Sequence, residues 1–472
     1  MRLGDLVSGG GNAAVTGFAI DHRKVAPGTI FGAFPGARVN GEDFIPAAIA
    51  AGAIAIVSRP GVTVDGAFAI TADPARAAFA RLAARFYAPF PATVVAVTGT
   101  NGKTSTAELT RQLWHLGGHV AASIGTLGVT TAHDQVTTGL TTPDVVTFLA
   151  NMAGLQREGI SHASFEPSSH GLDQFRTEGL PMRAAAFTNL SRDHLDYHGT
   201  MEAYFAAKLR LFTDVVDGDG TVVVWADDDP WSGRVIATAR ARGLKVMTVG
   251  AAGEALTLKS RTPTALGQTL VVTAEGADFT IALPLIGAYQ AANALVSAGL
   301  VIACGGAVAS TLGHLARVRP VRGRLERAVI ARSGAPVYVD YAHTPDALEA
   351  AAAALRPHTK GRLILVFGAG GDRDQGKRAL MGAIAVAIAD QVIVTDDNPR
   401  SENPALIRAA IMAAAPGATE VADRRSAIAA AIAASGADDV VLIAGKGHEQ
   451  GQIVGTQVLP FDDVQVAREC AA

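Results

Sequence analysis

The stretch Val94-Val-Ala-Val-Thr-Gly-Thr-Asn-Gly-Lys-Thr-Ser105 constrains the fold of this chain more than any other. An apolar run dominated by valine enters a turn with two glycines, a lysine and several hydroxyls, and a helical pattern follows from Ala107 to Leu116, stopping at Gly117-Gly118. The pattern predicts a strand, an anion-cradling loop and a helix. Glycines let backbone N–H groups approach a phosphate, the helix N-terminus adds positive potential, Lys103 brings a point charge and Thr104 a hydroxyl able to ligate magnesium. An ordinary Gly-rich strand-to-helix turn would share the two glycines. The strict P-loop spacing also asks for glycine at 97, where this chain has valine, so only Gly99-x-x-Gly102-Lys103-Thr104 remains. The context still favours a nucleotide site.

At 472 residues, with about 100–200 residues per domain, two to four domains are expected. Turn chemistry places the joints. Tyr87-Ala-Pro-Phe-Pro91 resists regular structure, because proline fixes φ and restricts its predecessor. Val321-Arg-Gly-Arg-Leu-Glu326 is a second, basic joint. Three units are therefore expected, at 1–89, 90–323 and 324–472. In the first, Thr29 to Gly36 is a short apolar run, Ile45 to Ala53 reads as a helix and Ala53 to Val57 as a strand. In the second, strands and helices alternate, the mark of a largely parallel α/β sheet. It includes a strand–turn–helix–strand from Thr221 to Val249 with Ala226 to Pro230 as the turn, a β-meander over 254–286 and a helix from Asn293 to Ile302. The third is again α/β, with Ala347 to Leu355 and Ala427 to Ala434 as packed helices.

Composition removes several functions. Forty basic against forty-three acidic residues leave no global field to recruit nucleic acid or an anionic membrane. Two cysteines, Cys304 and Cys470, make neither a disulfide framework nor a metal knuckle and fit a reducing cytoplasm. Neither a signal peptide nor a membrane-spanning run is expected, since the positive hydropathy comes mainly from alanine.

Ligands of parallel sheets gather beyond the carboxyl ends of the strands, so the residues just after each strand matter most. Glu166 follows Ser161 to Phe165, and His194 lies just beyond Ala184 to Phe187. These are the metal-ligand candidates, because ATP chemistry needs cations bridging phosphate oxygens. Thr200 reads as an N-cap, and the helix after it carries Lys208 among apolar residues. A lysine so placed is expected to extend its ammonium to solvent. In the third unit four strands each meet a charged or Gly-rich turn: Asp340 to Asp346, Gly368 to Asp374, Asp396 to Arg400 and Ala444 to Glu449. If that sheet is parallel, all four turns share one edge. Arg373 and Arg400 could there clamp a carboxylate while Asp397 and Glu449 receive an ammonium, making a pocket for a zwitterion, or the charges could form ordinary ion pairs. Gly368-Ala-Gly-Gly-Asp-Arg373 lacks the last glycine of a dinucleotide fingerprint.

Taken together, Thr98-Gly-Thr-Asn-Gly-Lys-Thr104, Glu166-Pro-Ser-Ser-His170, Asn189-Leu-Ser-Arg-Asp-His-Leu-Asp-Tyr-His-Gly199, Asp340-Tyr-Ala-His-Thr-Pro-Asp346, Gly370-Gly-Asp-Arg-Asp374 and Asp397-Asn-Pro-Arg400 resemble the Mur ligase family. The match runs from about Asp21 to Glu449. The resemblance implies a three-domain α/β architecture with a central P-loop-type sheet and a C-terminal Rossmann-like domain. It implies a cytoplasmic, ATP- and Mg²⁺-dependent amide-forming ligase of peptidoglycan synthesis, acting as a monomer on small-molecule substrates without nucleic acid or membrane insertion. The UDP end of the substrate would sit in the first domain, ATP in the second and the incoming amino acid in the third.

By resemblance, Gly99, Thr100, Asn101, Gly102, Lys103, Thr104 and Ser105 hold ATP phosphates. Asn293, Arg324 and Asp340 match residues that hold the base, phosphates and ribose, with His343 close by in sequence. Glu166 and His194 match metal ligands alongside Thr104. Lys208 matches a lysine that is carbamylated, which turns the cation into an anion able to hold Mg²⁺ and displaces the solvent-facing reading. Lys103, Lys208 and His194 form the implied catalytic set. Thr141, Thr142, Ser168, Gln174 and Arg176 match contacts to a UDP-N-acetylmuramoyl dipeptide ending in D-glutamate. Asp397, Asn398, Pro399 and Arg400, completed by Arg373, Gly445 and Glu449, have the form found in members that add meso-diaminopimelate. Another Mur ligase, a folylpolyglutamate synthase-like ligase and a non-catalytic ATP-binding regulator are the alternatives. The chain departs from the family pattern at Asp21-His22-Arg23, where Asp-Ser-Arg is usual near the uridine site, and at Pro167, Trp225 and Gln290.

Overall fold

The computed structural model describes residues 1–36, 39–137, 139–227, 230–264 and 266–472. Among these residues the strands form four sheets. The first has four parallel strands in the order Gly17–Ala19, Thr29–Gly32, Ala53–Ser58 and Phe68–Thr71. Helix Ala75–Tyr87 closes one face because Phe79, Ala80, Ala83 and Ala84 recur at helical spacing and are buried. Phe79 meets Phe18 edge-on at 5.3 Å and Phe34 at 5.5 Å between ring centroids. The helix expected from Ile45 to Ala53 ends at Ala50, and the strand takes over at Ala53.

Eleven strands make the central sheet, with Thr93–Thr98 near its middle between Ala184–Phe187 and His162–Phe165. Both neighbours run parallel to it, with Thr98 opposite Phe187 and Ala96 opposite Phe165. That register brings Gly99, Glu166 and Thr188 to one edge. The valines and alanines of Thr93–Thr98 alternate between two cores, Val94 and Ala96 facing one and Val95 and Val97 the other, as expected of a sheet covered on both faces. An antiparallel meander, Leu256–Thr264, Gly267–Ala274 and Ala277–Leu283, closes one end of the sheet as expected, and the short strands Gly128–Thr130 and Gln135–Val136 close the other. The turn expected over Ala226 to Pro230 includes Asp228 and Asp229, which lie outside the described residues.

The phosphate-loop helix runs Lys103–Leu116, starting earlier than the Ala107 read from apolar spacing. Gly102, at φ 87°, is its N-cap, so Lys103, Thr104 and Ser105 form the first helical turn. Periodicity missed them because polar side chains facing a cavity carry no apolar signal. Helix Ala288–Ala303, longer than the Asn293 to Ile302 expected, packs against it.

The third sheet is ordered Glu326–Ile330, Pro336–Asp340, Val440–Ala444, Leu363–Phe367, Gln391–Val394 and Thr419–Glu420. All pairs except the first are parallel. The turns after Asp340, Phe367, Val394 and Ala444 therefore share one edge, as expected. A separate two-stranded hairpin, Gly451–Val454 and Gln457–Pro460, stands beside that edge. Among the described residues no helix is long and apolar enough to cross a membrane.

Candidate functional site

The phosphate loop is an open bowl whose glycines are dictated by contact. A Cβ at Gly102 would collide with the Asn293 side chain and one at Gly99 with the Thr188 hydroxyl, and both have positive φ. The loop is braced from the next strand end: Thr188 Oγ1 donates to the Asn101 carbonyl at 2.6 Å, and the Asn101 N–H donates to Asn189 Oδ1 at 3.0 Å. Lys103 Nζ lies back over the bowl, donating to the carbonyls of Gly99 and Thr100 at 3.0 and 2.7 Å. Burial lowers its pKa.

Glu166 sits at the rim, as strand order requires. Its carboxylate accepts from Thr104 Oγ1 at 2.9 Å and from the backbone and hydroxyl of Thr126 at 2.9 and 3.2 Å. Pro167 is harmless there, since the strand has ended at Phe165 and no ladder N–H is needed; its carbonyl accepts from Thr98 Oγ1 at 3.0 Å. His194 is held at φ 54° as the first residue before the short helix Leu195–His198, its N–H donating to Asp193 Oδ1 at 2.9 Å. Burial, against the opposing pull of Asp193, takes its imidazole down to about 4. It is neutral near pH 7, the form that ligates metals.

Lys208 overturns the solvent-facing expectation. It is 1% exposed, and its Nζ donates to the Gly99 carbonyl at 2.7 Å and lies 4.5 Å from the centre of the Tyr204 ring. On helix Met201–Arg210 the buried residues Tyr204, Phe205, Ala207 and Lys208 share one face, so the lysine continues the apolar stripe into the site. Burial and the adjacent Lys103 hold its amine well below the ordinary lysine range. Among the described residues no three His, Cys, Asp or Glu side chains gather as a metal-binding group.

A cavity of about 470 Å³ opens above the loop, and the third unit supplies its far wall. Arg324 Nη2 reaches Thr104 Oγ1 at 3.1 Å, and the guanidinium lies 4.5 Å from the centre of the Tyr341 ring. Asp340 accepts from the N–H groups of Leu325 and Ala342 at 2.7 and 2.8 Å and from the Tyr289 hydroxyl at 3.4 Å. Its burial pushes the carboxyl up to about 6 despite Arg324 and these donors. His343 and Trp225 also line the cavity. Gln290, fully buried, donates to the Arg324 carbonyl at 3.1 Å and accepts from Asn293 Nδ2 at 3.3 Å, tying the two walls together. Removing it leaves buried groups unpaired, about 1–3 kcal/mol each. Gln290→Ala is expected to lower unfolding stability by about 1–3 kcal/mol, read by denaturant titration.

Thr141 and Ser168 line the same cavity. Thr142, Ser168, Gln174 and Arg176 form one network beneath it: Thr142 Oγ1 donates to the Glu166 carbonyl at 2.8 Å, and Arg176 donates to the Thr142 carbonyl at 2.7 Å and to Gln174 Oε1 at 2.8 Å. Asp397, Asn398, Pro399, Arg400, Gly445 and Glu449 form a second cluster on the third sheet's edge that does not line the cavity. Asn398 Nδ2 donates to Glu449 Oε2 at 2.7 Å, Arg400 Nη1 to the Gly371 carbonyl at 2.7 Å, and Gly445 lies beside the Asp397 carboxylate. Arg373 is exposed and outside these bonds. In the first unit Asp21 accepts from the Arg23 N–H and guanidinium, and His22 stacks on Phe44 at 4.3 Å.

Sequence reasoning missed Thr126, Lys446 and Tyr289. The strand-end rule would have found Thr126, which follows Ala121–Gly125 just as Glu166 follows its own strand. Lys446, fully buried, donates to Asn398 Oδ1 at 3.0 Å and the Gly451 carbonyl at 2.6 Å, a role no local pattern signals.

Three family models match the chain: the Mur ligase catalytic domain over 14–87, the Mur ligase middle domain over 97–301 and the Mur ligase glutamate ligase domain over 323–447. A protein of Zymomonas mobilis named UDP-N-acetylmuramoyl-L-alanyl-D-glutamate--2,6-diaminopimelate ligase is 59% identical, covering 99% of this chain and 98% of its own. A protein of the same name from Bradyrhizobium diazoefficiens is 51% identical, over 98% and 97%. A solved structure bearing that name superposes with a TM-score of 0.73 at 31% identity, covering 100% of this chain and 98% of the other. The MurF ligase of Thermotoga maritima in complex with ADP, 20% identical over 96% of each chain, shares the fold at a TM-score of 0.65.

Proposed function

The chain belongs to the Mur ligase family, and we propose that within it this protein is a UDP-N-acetylmuramoyl-L-alanyl-D-glutamate--2,6-diaminopimelate ligase. It joins meso-diaminopimelate to the D-glutamyl carboxylate of the UDP-linked dipeptide, with ATP converted to ADP and phosphate, in cytoplasmic peptidoglycan synthesis. The observation that carries this reading is 59% identity to a relative of that name over essentially the whole of both chains.

The proposed chemistry activates the carboxylate before the amide forms. A carboxylate is a poor acylating agent, so its oxygen attacks the γ-phosphorus of ATP, ADP departs, and an acyl phosphate forms. The amine of the amino acid then attacks the acyl carbon, phosphate leaves with the C–O bond, and the amine proton passes to the medium. The loop Gly99 to Ser105 holds the phosphates, with Lys103 moving from its carbonyl partners onto their oxygens. Asn293, Arg324, Asp340 and His343 hold the nucleoside and orient it against the loop. Thr141, Thr142, Ser168, Gln174 and Arg176 place the glutamyl carboxylate. Arg400, with Arg373, takes the distal carboxylate of the acceptor, while Asp397, Asn398, Gly445 and Glu449 receive its ammonium end.

Magnesium fits the residues present: a buried carboxylate at Glu166, a hydroxyl at Thr104, a neutral imidazole at His194, and a lysine whose depressed pKa favours the neutral amine that carbamylation requires. When bound, the cation neutralises phosphate oxygens and polarises the γ-phosphoryl group. In the proposed division at 89/90 and 323/324, the first domain takes the UDP end, the second takes ATP with Arg324, Asp340 and His343 reaching in from the third, the third takes the amino acid, and the protein works as a monomer.

Coupled assays should show ADP release only when ATP, Mg²⁺, the UDP-linked dipeptide and meso-diaminopimelate are all present; steady release without the dipeptide would contradict the ligase reading. A pH dependence follows from Asp340. Its folded value near 6 lies above the ordinary carboxyl value of about 4. The folded state therefore binds the extra proton, and this group's stabilising contribution, full below about 4, is lost as pH rises through about 6. The ionised form is the better acceptor for sugar hydroxyls. ATP affinity is expected to rise as pH rises through about 6, and titrations of Asp340→Asn should lose that rise.

A further inference from the structure

Arg400 has positive φ, 52°, a conformation uncommon for side chains with a Cβ and maintained only where surroundings over-determine it. Its surroundings do so. The Arg400 N–H donates to the Ile453 carbonyl at 3.0 Å, and the Gly455 N–H donates to the Arg400 carbonyl at 2.7 Å, so both peptide groups of this residue are taken by the hairpin Gly451–Pro460. The same hairpin holds the residues before it. The Ile453 N–H donates to Asn398 Oδ1 at 2.9 Å and Gln452 Nε2 to the Asp397 carbonyl at 2.7 Å. On the other side Ser401 donates through its hydroxyl to Asp372 at 2.6 Å. The guanidinium is thereby aimed across Gly370 and Gly371, where a Cβ at 370 would lie 2.7 Å from Arg400 Nη1.

The hairpin has no packing role that explains it. Val454, Val458 and Leu459 are exposed, and no residue from Gly451 to Pro460 belongs to a hydrophobic core cluster. Its bonds to Asp397, Asn398 and Arg400, with one from Lys446 to Gly451, are its main attachment.

We infer that the hairpin Gly451–Pro460 is a positioning clamp that sets acceptor specificity by holding Arg400 in its left-handed backbone conformation. This rests on the proposed role of Arg400 at the distal carboxylate. No residue of the hairpin lines the cavity above the loop; the hairpin decides where the guanidinium stands. Without the clamp the backbone relaxes to negative φ and the side chain leaves the Gly371 carbonyl. An acceptor with a distal carboxylate then loses its advantage over one ending in an amine.

Gly455→Val tests the clamp, because a β-branched side chain resists φ near 58° yet meets nothing within 4 Å. The KM for meso-diaminopimelate should rise about tenfold and its preference over L-lysine fall by a similar factor, while the KM for ATP stays within about twofold. Gln452→Ala, which removes one side-chain bond and leaves the backbone alone, should give the same split at about threefold, so a poorly folding Gly455→Val leaves the test intact. Unchanged preference in Gln452→Ala and a folded Gly455→Val, or equal losses for ATP and acceptor, would overturn the clamp. A wild-type protein that does not use meso-diaminopimelate would instead overturn the functional reading beneath it.

Discussion

Lys208→Ala is expected to lower kcat by about 10²–10³-fold, the scale seen when one preorganised electrostatic group is lost from an active site. The reason lies in its surroundings. The amine is buried beside Lys103 and within hydrogen-bond reach of the Gly99 carbonyl at the base of the phosphate loop. Two adjacent buried ammonium ions are costly, and burial pushes Lys208 toward the neutral amine. That amine could take up carbon dioxide, releasing a proton, to become a carbamate whose negative charge would face Lys103. Bicarbonate or a short carboxylate should partly restore Lys208→Ala, because the truncated side chain leaves room for an anion. Lys208→Met fills that room and should not respond. Full activity in Lys208→Ala, or equal rescue of both variants, would remove the residue from the proposed metal site.

Arg400→Ala should raise the KM for meso-diaminopimelate by about 10–150-fold, the equivalent of the 1.5–3 kcal/mol of a charge-assisted hydrogen bond. The KM for ATP should stay within about twofold, since Arg400 stands in a cluster separate from the cavity proposed to hold the nucleotide. Arg400→Lys should recover little of the loss, because an ammonium cannot present the planar fork that matches a carboxylate. Parallel losses for both ligands would show Arg400 supporting the domain as a whole.

How legible these features were in the sequence depended on whether local pattern or tertiary contact produced them. Glu166 could be read because a parallel strand ending beside the phosphate loop delivers its next residue to the loop's edge, and the register of Thr93–Thr98 with His162–Phe165 does this. The four turns of the third sheet were legible for the same reason. Lys208 was not legible from the residues alone, since a lysine on an apolar face and one buried under a loop have the same helical spacing; only the resemblance indicated otherwise. The early helix start at Lys103 was hidden because its first turn faces a cavity rather than a core. Gln290 read as a departure from the family pattern, and its purpose emerged only when helix and joint were seen together. The hairpin Gly451–Pro460 gave no signal at all. Its strands lack the alternation of a half-buried sheet because neither side is buried, and its partners lie about fifty residues earlier in the chain, at Asp397 to Arg400.

An acceptor screen tests the functional claim most directly. With ATP, Mg²⁺ and UDP-N-acetylmuramoyl-L-alanyl-D-glutamate held constant, ADP release and product mass would be followed with meso-diaminopimelate, L-lysine, D-alanyl-D-alanine and L-glutamate in turn. The expected result is a UDP-linked tripeptide formed with meso-diaminopimelate at a kcat/KM at least about a hundredfold above the others, the discrimination a lost carboxylate–guanidinium pair implies. Comparable turnover with L-lysine, or ADP release with no new amide product, would contradict it.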